Sequence, residues 1–111
     1  MSVKFVDIRS VLYSHFSSAY SDVALIYATC LDERFRDGPE AVKMAKKACE
    51  LSAYKNHYHV ATLAAAYAEC GDFENAIEWQ KKAVELEGND IFKTEYEKRL
   101  AAYRAKKPWR Q

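Results

Sequence analysis

Apolar residues return every three or four positions over most of the chain, the spacing that gathers them on one side of an α-helix. Val60, Leu63, Ala64 and Tyr67 make one such stripe and predict a helix from about His57 to Cys70. Gly71 ends it, since glycine enters the left-handed conformation without a Cβ clash, and Asp72 caps the helix that follows. That helix carries Ala76, Ile77, Ala83 and Val84 on one face, and the alanines at 64, 76 and 83 are small enough for two backbones to approach closely. Upstream, a helix is expected from about Pro39 to Ser52, with Pro39 in its first turn and Asp37 or Gly38 as its cap. A weaker pattern from about Asp22 to Leu31 carries Tyr27, Ala28 and Leu31. Phe92, Tyr96, Leu100 and Tyr103 predict a further helix from about Asp90 to Ala105, with Pro108 beyond its end. At the other end Phe5, Ile8, Leu12 and Phe16 predict an N-terminal helix within residues 1–20.

Two of these segments are copies. AVKMAKKACEL, Ala41 to Leu51, and AIEWQKKAVEL, Ala76 to Leu86, are identical at six of eleven positions, 35 residues apart. An offset of that size between helical segments is what a helix-turn-helix repeat produces, because one pair cannot bury its apolar face alone and must stack on a neighbour.

The second copy resembles the tetratricopeptide repeat family: Val60, Leu63-Ala64, Tyr67, Gly71-Asp72-Phe73, Ala76 and Ala83 stand in that family's pattern. Gln80 departs from it where an aromatic is usual, and Gly88 where a proline often closes the repeat, so the far end of that helix is expected to be loose. The first copy is degenerate, DERFRDG replacing the short turn, and the span from Thr29 onward, with TLAAAYAECGDFE and KKPWRQ, resembles a bacterial variant found at the ends of larger proteins. The resemblance implies an all-α fold: a right-handed stack of antiparallel helix pairs, about six helices in one domain over residues 1–111. Its parts are an N-terminal helix (1–20), a degenerate repeat (21–53), a clear repeat (57–88) and a capping helix (90–106).

Composition agrees with helix and narrows the function. There are only two prolines and three glycines, and 17 basic against 16 acidic side chains leave a net charge of +1, too little to draw a nucleic acid or anionic membrane from a distance. No apolar run reaches the ~20 residues of a membrane span, and the opening residues alternate charged and apolar groups, so a cytoplasmic, unexported chain is expected. Cys30, Cys49 and Cys70 are odd in number and widely spaced, which fits a reducing compartment and small buried residues between helices. His57 and His59 point about 200° apart on a helix, and no cysteine spacing suits zinc, so neither a metal nor another cofactor is expected. Nothing supports a catalytic cysteine, and the chain reads as no enzyme.

Three surfaces remain. DERFRDG is expected to order its turn through Asp32, Glu33 or Asp37 on Arg34 and Arg36, with Phe35 tucked beneath. Lys93 to Gln111 holds seven basic residues against Glu95 and Glu97, a local balance of +5 with Trp109 inside it, which makes nucleic-acid contact an alternative, though a soluble outer face is the commoner explanation. The third is implied by the family, whose first helices line a concave groove: Tyr58, Ala61, Thr62, Ala65 and Glu69 would bind a protein or peptide, without the basic clamp used for acidic chaperone tails. The expected function is therefore a non-enzymatic interaction module, with nucleic-acid contact or structural homo-oligomerisation as alternatives.

Overall fold

The structure, a computed structural model, describes residues 8–111, with side chains from His15 onward. Five α-helices follow one another: α1 Ile8–Thr29, α2 Gly38–Leu51, α3 His57–Glu69, α4 Phe73–Glu87 and α5 Lys93–Arg104, with a 3-10 turn, Glu33–Phe35, between α1 and α2. No strand occurs among the described residues, and no helix there is long and apolar enough to cross a membrane. Phe5 and the side chains of Ile8 and Leu12 lie outside the described residues.

The helix count differs from the expected six because residues 8 to 29 form one helix of 22 residues. No glycine or proline interrupts it, for neither occurs in the first 37 residues. The serines near its middle do not break it: Ser17 and Ser21 turn inward, where they are buried with Ala24, Ala28 and Thr29, while Ser18 is exposed. Thr29 satisfies its hydroxyl on the Leu25 carbonyl at 2.6 Å.

Capping chemistry sets the other boundaries. Asp37 accepts from the Glu40 amide at 3.1 Å to start α2, Asn56 accepts from Tyr58 and His59 to start α3, and Asp72 accepts from the Asn75 amide at 3.2 Å to start α4. Gly71, at φ +78°, closes α3 by donating to the Ala68 carbonyl while the Asp72 amide reaches back to Tyr67. Asp72 thus ends one helix and begins the next. Gly88, at φ +64°, caps α4 in the left-handed conformation, so a residue other than proline suffices to stop that helix.

Helix α3 lies at the centre, contacting α1, α2 and α4, while α1 also packs on α2 and α4 on α5. Nine of its 13 residues are buried, most of them alanine, so that neighbouring backbones approach from several sides. Full burial of Val60 and Leu63 contributes about 2 kcal/mol each. Where α2 begins against the end of α3, Gly38 is needed because a Cβ there would stand 2.8 Å from Cys70 Sγ. Gln80, where an aromatic was expected, is buried and donates through Nε2 to the Tyr96 carbonyl of α5 at 3.2 Å. Tyr96 and Tyr103 anchor α5 as its stripe predicts, but Arg99 is buried with them and Phe92 is exposed.

Two expectations are corrected at the α1–α2 connection. Phe35 is not tucked beneath the turn but 55% exposed, with the Arg34 guanidinium 5.7 Å from its ring centroid. Arg34 does pair with Asp32, at 2.7 Å, holding that carboxyl below the usual range, yet Arg36 turns away to the Cys30 and Leu31 carbonyls and to Glu69. Of the cysteines only Cys49 is buried, its thiol pushed up to about 12 by burial, while Cys30 is half-buried and Cys70 exposed.

Candidate functional site

The residues assigned to a groove do share one side of α3, but that side is an interior seam. Ala61, Thr62 and Ala65 are each 1% exposed. Ala24 and Ala28 of α1 belong to the same buried cluster as Ala61 and Ala65. Ser21 Oγ donates to Thr62 Oγ1 at 3.1 Å, and Thr62 in turn donates to the Tyr58 carbonyl at 3.0 Å. Tyr58 is half-buried, and burial, reinforced by Asp22 and opposed by Arg99, raises its hydroxyl above the ordinary value. Covering by α1 is what closes the groove: a stripe of small residues facing serines and alanines allows the two helices too close an approach for a ligand to enter.

Glu69, the fifth residue, lies between two arginines. Its Oε1 is 3.4 Å from Arg36 Nε and its Oε2 is 2.7 Å from Arg110 Nη1. The second contact is short as an ion pair but lacks hydrogen-bond alignment at Oε2, so we read it as charge pairing.

Arg110 arrives there because the segment after α5 folds back. Lys106, at φ +57°, turns the chain, and the Lys107 amide donates to the Ala102 carbonyl at 2.9 Å. Trp109 then packs among Tyr103, Ala64 and Ala68, with the Arg99 guanidinium 5.6 Å from its ring centroid. Arg110 Nη1 reaches the Ala28 carbonyl at 3.3 Å and the Gln111 amide donates to the Thr29 carbonyl at 2.9 Å, so the segment crosses from α5 over α3 to α1. Arg99, held by Glu95 at 3.0 Å, and Arg110 are thereby committed within the molecule, leaving Lys93, Lys98, Arg104, Lys106 and Lys107 as exposed cations of the basic stretch. Trp109 is half-buried against that cluster.

No group of three or more metal-ligating side chains occurs among the described residues. His57 and His59 serve separate partners, Tyr96 Oη at 2.8 Å and Ser52 Oγ at 3.1 Å.

An accessible apolar surface lies on another side of α1. Phe16, Val23 and Ile26 are 53%, 37% and 54% exposed while Ser17, Ser21, Ala24 and Ala28 of the same helix are buried. Phe16, Ala19, Tyr20 and Val23 surround, with Met44 of α2, an open apolar pocket of about 160 Å³. A second, charged depression of about 580 Å³ adjoins it through Tyr20 and Met44, rimmed by Glu40, Lys43, Lys46, Lys47 and Glu50. Leu31 and Phe35 after the helix, and Leu86, Ile91 and Phe92 around the α4–α5 connection, are exposed as well. Sequence reading stopped the stripe of α1 at Phe16, although the spacing 16, 19, 23 and 26 carries it through Ile26 once the helix is continuous. No protein-family model matches the chain, and neither the curated proteins nor the solved structures contain a significant match to it.

Proposed function

We propose that the chain is a non-enzymatic interaction module, a short right-handed stack of antiparallel helix pairs of the tetratricopeptide kind working in the cytoplasm, and that it engages a protein partner through the outer face of α1. The observation that carries this reading is the orientation of that helix. It buries Ser17, Ser21, Ala24 and Ala28 and leaves Phe16, Val23 and Ile26 exposed on another side, an arrangement that burial of apolar area does not favour in an isolated domain. A helix groove or face lined this way suits an amphipathic helix of a partner. The repeat supports the scaffold part of the reading: Ala41 and Ala76, Ala45 and Gln80, and Ala48 and Ala83 are equivalent by the 35-residue offset and all are buried.

The test is affinity capture from the source cell with the wild-type chain and with Val23→Glu/Ile26→Glu. Both substitutions are at exposed positions, so helical circular dichroism should persist while captured partners are lost. An unchanged set of captured proteins overturns the assignment of function to this face.

A further inference from the structure

We propose that the seat beneath residues 106–111 is a docking site for an extended segment of another polypeptide, one that presents a tryptophan followed directly by an arginine. The chain's own segment is the resident competitor for that seat. This surface is separate from the outer face of α1.

What the resident touches defines the seat. Ala64 and Ala68 of α3, one helical turn apart, form a shelf of small side chains on which Trp109 packs, with Tyr103 of α5 beside it. Next to the shelf is a place for a cation. Arg36 takes Oε1 of Glu69 at 3.4 Å, which leaves Oε2 to face Arg110 at 2.7 Å. The Ala28 and Thr29 carbonyls, past which α1 makes no further turn, accept from Arg110 Nη1 and the Gln111 amide. A carboxylate beside the negative end of a helix favours positive charge, and the resident fills shelf and carboxylate with adjacent residues. Residues 107–111 are neither helix nor turn, and Pro108 brings no amide that needs a partner. The occupant is thus an extended chain, not a helix.

The hold on the resident is incomplete. Its backbone is fastened to α5 by the Lys107 amide and to α1 by the Gln111 amide. Lys106 is left-handed at φ +57°, so release relaxes a strained turn. Closure also leaves polar atoms unsatisfied: Tyr103 Oη, on a side chain that is fully buried, Arg99 Nε and Trp109 Nε1 have no hydrogen-bond partner. Buried donors without acceptors oppose the closed arrangement. A segment with the same Trp-Arg pair and an acceptor side chain beside the indole satisfies what the resident does not, and displaces it.

The probe is a fluorescently labelled peptide of residues 105–111, titrated against the full chain and followed by polarisation. Wild type should bind it weakly, because free peptide must exceed the effective concentration of the tethered segment. Trp109→Ala in the chain removes the resident's anchor and should tighten peptide binding at least about tenfold, and excess peptide should raise the melting midpoint of that variant. Arg110→Ala, milder for the fold, should shift binding in the same direction, so the test survives if Trp109→Ala does not fold. A peptide carrying Trp109→Ala should not bind. Adding Glu69→Lys to the loosened chain should weaken the unaltered peptide and restore binding of a peptide carrying Arg110→Glu, an exchange that a purely structural Glu69 does not produce. Equal binding by wild-type and loosened chains, or binding indifferent to the charge exchange, overturns the inference. So does a wild-type chain that sediments at twice 12.8 kDa and reverts to that mass with Trp109→Ala, since the occupant is then the segment of a second copy. None of these readouts involves Val23 or Ile26, so the α1 face stands or falls separately.

Discussion

Ala53 follows α2 at φ +54°, a left-handed conformation in which a Cβ costs roughly 1–2 kcal/mol. The position 35 residues later is Gly88, at φ +64°, so the two copies use the same cap with different residues. Ala53→Gly removes the clash and adds about 0.4–1 kcal/mol of unfolded-state freedom, a net gain of about 0.5 kcal/mol. A urea midpoint that moves up with unchanged slope is the expected result; a midpoint that moves down means that Ala53 carries no strain.

His59 supplies a pH dependence. Ser52 gives its hydroxyl proton to the Ala48 carbonyl at 2.9 Å, so Nδ1 of His59, 3.1 Å away, must carry the proton of their shared bond. Burial holds the imidazole below its ordinary value of 6.5, with Asp22 opposing and His57 reinforcing the shift. The folded state keeps the ring neutral while the unfolded chain binds a proton, so this contribution is complete above about pH 6.5 and declines below it. The melting midpoint should fall between about pH 7 and about pH 5, above the range where Asp72 loses its Asn75 partner, and His59→Gln should flatten that slope. Identical slopes in the two proteins would clear His59 of the effect.

At the scale of elements, α2, α3 and the start of α4 were legible because each boundary carries its own chemistry, Asp37 before Gly38 and the Gly71-Asp72 pair, whereas Gly88, which the family pattern marks as a loose end, caps α4. The continuity of α1 was obscured by the repeat itself, which called for a break near residue 21 although no residue there enforces one. Burial of Ala61, Thr62 and Ala65 was not legible because periodicity assigns residues to a face of α3, whereas the covering helix, α1, lies some 40 residues away in sequence. The segment after α5 is the harder case, having no periodicity to read. Its anchor is Trp109, and Trp109→Ala should cost about 2 kcal/mol by exposing Tyr103, Ala64 and Ala68, against less than about 0.5 kcal/mol for the exposed Lys106→Ala and Lys107→Ala. Equal effects in urea unfolding would show that the segment does not hold as described.

Across the whole molecule, stacked helix pairs ordinarily touch only their neighbours, and such arrays can lose structure one end at a time. Here the Arg110 guanidinium meets the Ala28 carbonyl across 82 positions of sequence, and Gln111 meets Thr29 beside it. The fold-back acts as a buckle. The last turn of α1 cannot part from the segment after α5 without breaking these bonds. Closing so long a loop costs chain entropy that only the packing of the intervening helices offsets, so the buckle depends on every element between its two halves.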